Sequence, residues 1–168
     1  AIVFADADLD IAIQGAANAI FMNSGQVCAA GSRLFIHKKI FDKVVAGVAE
    51  IANALPIGHG LEDGSVIGPV VSQKQLDRVL GYVNAGRDAG ANVLAGGISL
   101  DRAGYYVKPT VFTNTSNSMS IVQEEIFGPV VCAIPFDDAD GLESIIETAN
   151  STEFGLTASV WTTNLNTA

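Results

Sequence analysis

The sequence has 168 residues, enough for one domain with a sizeable core, and carries 49% apolar residues, 16% charged residues and a formal net charge of −9 at pH 7. An acidic chain whose nine Lys and Arg residues are scattered lacks the clustered basic footprint that phosphate backbones require, so a nucleic-acid partner is excluded. No apolar run approaches the roughly 20 residues that cross a bilayer, which excludes a helical membrane span.

Ala1-Ile2-Val3-Phe4 reads as a strand already under way, and Asp6, Asp8 and Asp10 stand where a helix N-terminus favours carboxylates. Ile11, Ala12, Ala16, Ala19 and Ile20 follow with helical spacing, which predicts a helix over about 8–23 that ends before Gly25. Leu34 to His37 reads as a strand, and the periodic apolar positions from Ile40 to Leu55 predict a second helix, stopped by Pro56 and Gly58. The segment from Gly58 to Gly68 is a glycine-rich loop without a Gly-x-Gly-x-x-Gly or Gly-Lys-Ser/Thr pattern, so the dinucleotide fingerprint is absent. Ser72 is a candidate N-cap for a third helix running to about Ala89, with Gly90 ending it before a short strand at Asn92 to Leu94.

Tyr105 to Phe112 reads as a strand broken at Pro109, a residue that points to an edge or an irregular ladder. Val130 to Ile134 is the most apolar run and suits a strand buried on both faces of a parallel sheet. A helix opening at Asp137 and Asp138 follows, with Leu142, Ile145, Ile146 and Ala149 inward, and Leu156 to Trp161 returns as a strand. The alternation predicts an α/β fold: three layers, with helices on both faces of a largely parallel sheet. The low charged content, the opening in mid-strand and the close at Asn164 to Ala168 without a further element point to an incomplete domain within a larger protein.

Cys28 lies within Phe-Met-Asn-Ser-Gly-Gln-Val-Cys-Ala-Ala-Gly-Ser-Arg at 21–33, where small neighbours leave room for a substrate to approach a thiol. Read by its chemistry alone, a free cysteine is more often a small buried hydrophobe than a nucleophile. Cys132 sits in an apolar strand and reads as buried and inert, and the two cysteines follow no Cys-x-x-Cys spacing that would indicate zinc or a disulfide framework. No metal site is expected. His37 and His59 have no spaced carboxylate or cysteine partners, and Asp137, Asp138 and Asp140 read as a helix-start cluster.

The Gly-Gln-Val-Cys-Ala-Ala-Gly-Ser-Arg run resembles the nucleophile segment of the aldehyde dehydrogenase superfamily, and Glu-Glu-Ile-Phe-Gly-Pro at 124–129 resembles that family's second signature. The similarity extends through Asp-Ala-Asp-Leu-Asp at 6–10, Gly-Pro-Val-Val at 68–71 and Lys-Pro-Thr-Val-Phe at 108–112. The resemblance implies that residues 1–168 are part of the catalytic domain, and that the N-terminal dinucleotide-binding domain and the C-terminal oligomerisation segment lie outside the chain. It implies oxidation of a small-molecule aldehyde to a carboxylic acid with NAD or NADP, through a thiohemiacetal and then a thioester on Cys28. Glu125 and Phe127 match the pair that holds the nicotinamide ribose and packs against the nicotinamide; Gln75 and Arg78 match ribose-contacting positions, although lysine is commoner at the second. Met22 matches a position lining the substrate tunnel. Read without the resemblance, Glu125 is a helix-start carboxylate or a solvated charge, and Phe127 and Met22 are core.

The family's general-base glutamate and oxyanion amide fall upstream of this chain, so residues 1–168 alone are expected to be inactive. Arg33 serves structure near the Cys28 turn or favours its thiolate electrostatically. A homo-oligomer in the full-length protein and a cytoplasmic setting are expected. The same thiol also suits a cofactor-independent cysteine esterase or acyl-transferase, and the same fold suits a non-catalytic interaction remnant.

Overall fold

A computed structural model describes residues 1–168. Six strands form one sheet: β1 (Ile2–Val3), β2 (Arg33–His37), β3 (Asn92–Ala95), β4 (Thr110–Thr113), β5 (Val130–Phe136) and β6 (Val160–Trp161), in the spatial order β3-β4-β5-β2-β1-β6. Every pairing is parallel except β3 with β4. Five α-helices accompany them: α1 (Leu9–Phe21), α2 (Phe41–Ala54), α3 (Gln73–Asp88), α4 (Ser120–Gln123) and α5 (Gly141–Ala149).

Side chains alternate along a strand, so each buried strand feeds two cores. Leu34 and Ile36 of β2 and Val131 and Ala133 of β5 pack with α1 and α2. Phe35, Val130, Cys132 and Ile134 point the other way, into a second core closed by α3, α4 and Ile145 of α5. The expected three-layer arrangement is therefore present, and β5, flanked by parallel neighbours on both sides, explains the continuous apolar run at 130–134.

The helix ends follow local chemistry. The Asp8 carboxylate accepts from the N–H groups of Asp10 and Ile11 at 3.2 and 3.3 Å, and Ser72 Oγ accepts from the Gln75 N–H at 3.3 Å. Three expectations change. The strand expected over Tyr105 to Phe112 begins only at Thr110, because Pro109 has no N–H for a ladder; of the two positions expected for it, β4 is not at an edge, lying between β3 and β5, but its ladder with β3 is irregular, with a register shift between Val93 and Ala95. The helix at Asp137 opens as a 3-10 turn over Asp138–Asp140 before α5, which buries Ile145 while Leu142 and Ile146 stay exposed. Of Leu156 to Trp161, only Val160 and Trp161 pair with β1, and Leu156 is exposed. No helix is long and apolar enough to cross a membrane.

Candidate functional site

β2 and β5 are neighbours in register, Arg33 beside Cys132, although about a hundred residues separate them in sequence. Parallel neighbours begin at the same end of a sheet, so the loop before β2 and the loop before β5 meet there. The first carries Cys28 and the second carries Glu124 to Pro129.

The Cys28 loop is built by a left-handed run. After α1, a 3-10 turn over Met22–Gly25 contains Asn23, Ser24 and Gly25 at φ of 51°, 56° and 69°. Two of these are non-glycine residues in a region that costs them about 1–2 kcal/mol each, and each has a compensating bond. Asn23 Nδ2 donates to the Gln26 carbonyl at 3.1 Å, and the buried Ser24 hydroxyl donates to the Gly68 carbonyl at 2.8 Å. Gln26 Oε1 accepts from the Val71 N–H at 2.9 Å, tying the loop to the segment before α3. A turn closed by the Ala30 N–H on the Val27 carbonyl at 3.0 Å then places Cys28 and Ala29 at its tip, with Cys28 exposed. Neither the Cys28 nor the Ala29 N–H bonds within the chain, so both donors remain available to a ligand.

The second loop packs directly on the first. A Cβ at Gly25 would lie 2.1 Å from the Gly128 carbonyl oxygen, and a Cβ at Gly128 would lie 2.5 Å from Val79 of α3. Phe127 adopts φ of 57°, which turns its ring partly outward, and Glu125 is exposed. Together the two loops and the segment after α5 enclose a cleft of about 620 Å³ whose wall includes Val27, Cys28, Glu125, Phe127, Phe154 and Leu156. A second depression of about 640 Å³, between α2 and β3, is lined by Ala46, Ala49, Ala54, Glu50, Asn53 and Leu94, and holds no nucleophile.

Three of the six residues singled out from the sequence, Cys28, Glu125 and Phe127, thus share one cleft, and three do not line it. Met22 is exposed at the start of the left-handed run. Gln75 and Arg78 share a face of α3, as their spacing implies, but their donors are engaged by protein. Gln75 Nε2 bonds to the Ile126 and Phe127 carbonyls at 3.0 and 2.8 Å, and Arg78 donates to the Glu125 carbonyl. Tyr82 and Glu124, which the sequence did not single out, join this group: the Tyr82 hydroxyl donates to Glu124 Oε2 at 2.6 Å. That bond, with burial second, pushes the Tyr82 phenol above its ordinary range. The available signal was the helical stripe 75, 78, 82.

Arg33 donates to the Thr148 and Ala149 carbonyls at 3.4 and 2.8 Å, binding the last turn of α5 to β2. Its guanidinium is therefore a structural clasp, and burial lowers its pKa from the ordinary value. His37, for which the sequence spacing offers no carboxylate to make a metal site or dyad, contacts one through the fold: Nε2 lies 3.0 Å from Asp138 Oδ1, while Nδ1 accepts from the Lys39 N–H at 3.2 Å. This contact closes the end of β2 remote from the Cys28 loop. No group of three or more His, Cys, Asp or Glu side chains is arranged to hold a metal ion.

Cys132 is 1% exposed, and burial pushes its thiol up to about 12. Iodoacetamide at pH 8 is expected to modify one cysteine, Cys28, in the native chain, and Cys132 only after denaturation; equal labelling of both by mass spectrometry would contradict this. Because the folded state disfavours the Cys132 thiolate, its contribution to stability is full below about pH 9 and declines as pH rises toward about 12.

The aldehyde dehydrogenase family model matches residues 1–168. The chain is 47% identical to an aldehyde dehydrogenase of Emericella nidulans and 42% identical to a betaine aldehyde dehydrogenase of Sinorhizobium fredii, in each case over 99% of this chain. It superposes on the NAD+ complex of a Bacillus cereus aldehyde dehydrogenase with a TM-score of 0.94 at 48% identity, over 99% of this chain and 33% of that one. The chain spans about a third of the length of these relatives. With the match running from the first residue to the last and the fold reproduced at this identity, the chain belongs to the aldehyde dehydrogenase family.

Proposed function

We propose that residues 1–168 are the cysteine-bearing part of the catalytic domain of an NAD(P)-dependent aldehyde dehydrogenase, oxidising an aldehyde to a carboxylic acid. The observation that carries this reading is the convergence of Cys28, with two unbonded N–H groups at its turn, on the cleft that Glu125 and Phe127 also line. In the first step the Cys28 thiolate adds to the aldehyde carbonyl, forming the C–S bond of a thiohemiacetal. The developing oxyanion lies where the Cys28 and Ala29 N–H groups can donate to it. Held by Glu125 and Phe127, NAD(P)+ would supply the acceptor for the hydride lost from the thiohemiacetal carbon. The thioester that remains on Cys28 is released by water as the carboxylic acid, which restores the thiol.

The donor set suits the cofactor's nicotinamide half. A carboxylate at Glu125 can accept two ribose O–H groups, and the partly exposed Phe127 ring offers an apolar face to a flat heterocycle. Gln75 and Arg78 serve this contact through the backbone of 125–127. In the intact protein, Glu125→Gln is expected to raise KM for NAD(P)+ about tenfold, the loss of roughly one charge-assisted hydrogen bond, with a smaller change in kcat. A KM equal to that of the unsubstituted protein would remove Glu125 from the cofactor site.

A further inference from the structure

The segment from Glu125 to Phe127 has no hydrogen bond to any other backbone group. Its three carbonyls are held by side chains of α3 alone; in the residue before it, Glu124, the backbone N–H donates to the Ser120 carbonyl at 2.9 Å and the side chain is held by Tyr82 of α3. Irregular backbone without a ladder is free to move unless side chains fix it, and here the fixing groups form one stripe at 75, 78 and 82. Tyr82 is the end of that stripe and its support. The Arg78 guanidinium stacks over the Tyr82 ring at 5.0 Å and donates to its hydroxyl at 3.3 Å, while the same hydroxyl donates to Glu124.

Glu124 is extended, at φ −111° and ψ 153°. Successive side chains of extended backbone point to opposite sides, so drawing Glu124 onto α3 turns Glu125 away from it. Engaging Glu124 with Tyr82 also keeps one of two adjacent carboxylates occupied with a donor.

We propose that Tyr82, through its hydroxyl bond to Glu124 and its stacking on Arg78, is a positioning residue that holds the Glu125 carboxylate toward the cleft. This rests on the reading of Glu125 as a cofactor contact. Tyr82 touches neither substrate nor cofactor; it acts through Glu124 and Arg78.

The test is steady-state kinetics of the intact protein with NAD+ as the varied substrate, beside its thermal unfolding. Tyr82→Phe keeps the ring over Arg78 and removes the hydroxyl; it is expected to raise KM for NAD+ about fivefold, to leave kcat within twofold, and to shift the unfolding midpoint by no more than about 2 °C. Glu124→Ala is expected to do the same, and the double variant Tyr82→Phe with Glu124→Ala to raise KM no further than either alone, as partners in one bond must. A fall in unfolding temperature with KM unchanged would make the pair merely structural and overturn the proposal, as would increases in KM that multiply in the double variant. Glu125→Gln measured in parallel separates the two levels. If it raises KM while Tyr82→Phe does not, the cofactor reading stands and the positioning role falls. If Glu125→Gln itself leaves KM unchanged, both fall together.

Discussion

Replacing Cys28 with serine is expected to lower kcat for aldehyde oxidation in the intact protein by about a thousandfold or more, with KM for NAD(P)+ changed little. The reason lies in the nucleophilic step proposed for Cys28. A thiol yields a useful fraction of thiolate near neutral pH, whereas a serine hydroxyl needs an adjacent base to become nucleophilic. The residues around the turn, Val27, Ala29 and Ala30, contain none. Oxygen is also smaller than sulfur and leaves the turn's geometry undisturbed, so the variant separates chemistry from folding. Removing a nucleophile typically costs several powers of ten, while binding interactions elsewhere persist. Two measurements check it: NADH formation under saturating aldehyde, and alkylation of the native protein, where Cys28→Ser should abolish the fast-labelling site because the other thiol, Cys132, is buried. Retention of more than about a tenth of the rate would show that Cys28 is not the nucleophile and return it to the role of a small exposed side chain.

What the sequence made legible, and what it hid, follows from the range of each interaction. Helices α1, α2 and α3 were readable to within two residues or so because their apolar period and their caps at Asp8 and Ser72 are local properties. β5 was readable because a strand buried on both faces needs apolar residues at every position. The stretch at Tyr105 to Phe112 misled because apolar and aromatic residues satisfy burial as well as pairing; Tyr106 and Val107 are buried, yet outside the isolated Ser99 to Val107 bridge only Thr110 to Thr113 forms a ladder. The two signature segments could be found by their wording, but their meeting depends on β2 lying beside β5. Strand order is a long-range property that no local period records. Gln75 and Arg78 illustrate the same limit: helical spacing correctly placed them on one face, but spacing alone cannot say that the face meets three backbone carbonyls before it meets a ligand. His37 and Asp138 became partners for the same reason, since each stands near the end of a strand whose neighbour is set by topology.

Gly25→Ala is the substitution expected to harm both the fold and the site most. Two costs add. At φ of 69° an L side chain incurs roughly 1–2 kcal/mol of backbone strain. The new Cβ would also lie 2.1 Å from the Gly128 carbonyl oxygen and 2.6 Å from the Pro129 nitrogen. Both are backbone atoms that cannot rotate aside, and Gly128 is itself pressed against Val79, which is fully buried. Overpacking of this kind costs about 1–3 kcal/mol, which gives a total of about 2–5 kcal/mol, a large share of the roughly 5–15 kcal/mol that holds a domain together. Any relief must separate the Cys28 loop from the Glu125 loop, so the damage extends to the cleft: turnover should fall, and KM for NAD(P)+ should rise in whatever protein remains folded. Gly64→Ala supplies the control. Gly64 has φ of 82° but nothing within 4 Å of where a Cβ would stand, so it carries the strain without the collision and should cost only about 1–2 kcal/mol. Denaturant unfolding of the two variants isolates the packing contribution as the difference between their midpoints, provided that the slopes match. Equal midpoints would mean that the two loops can part without loss, and that the close approach of Gly25 to Gly128 is not what holds Cys28 beside Glu125.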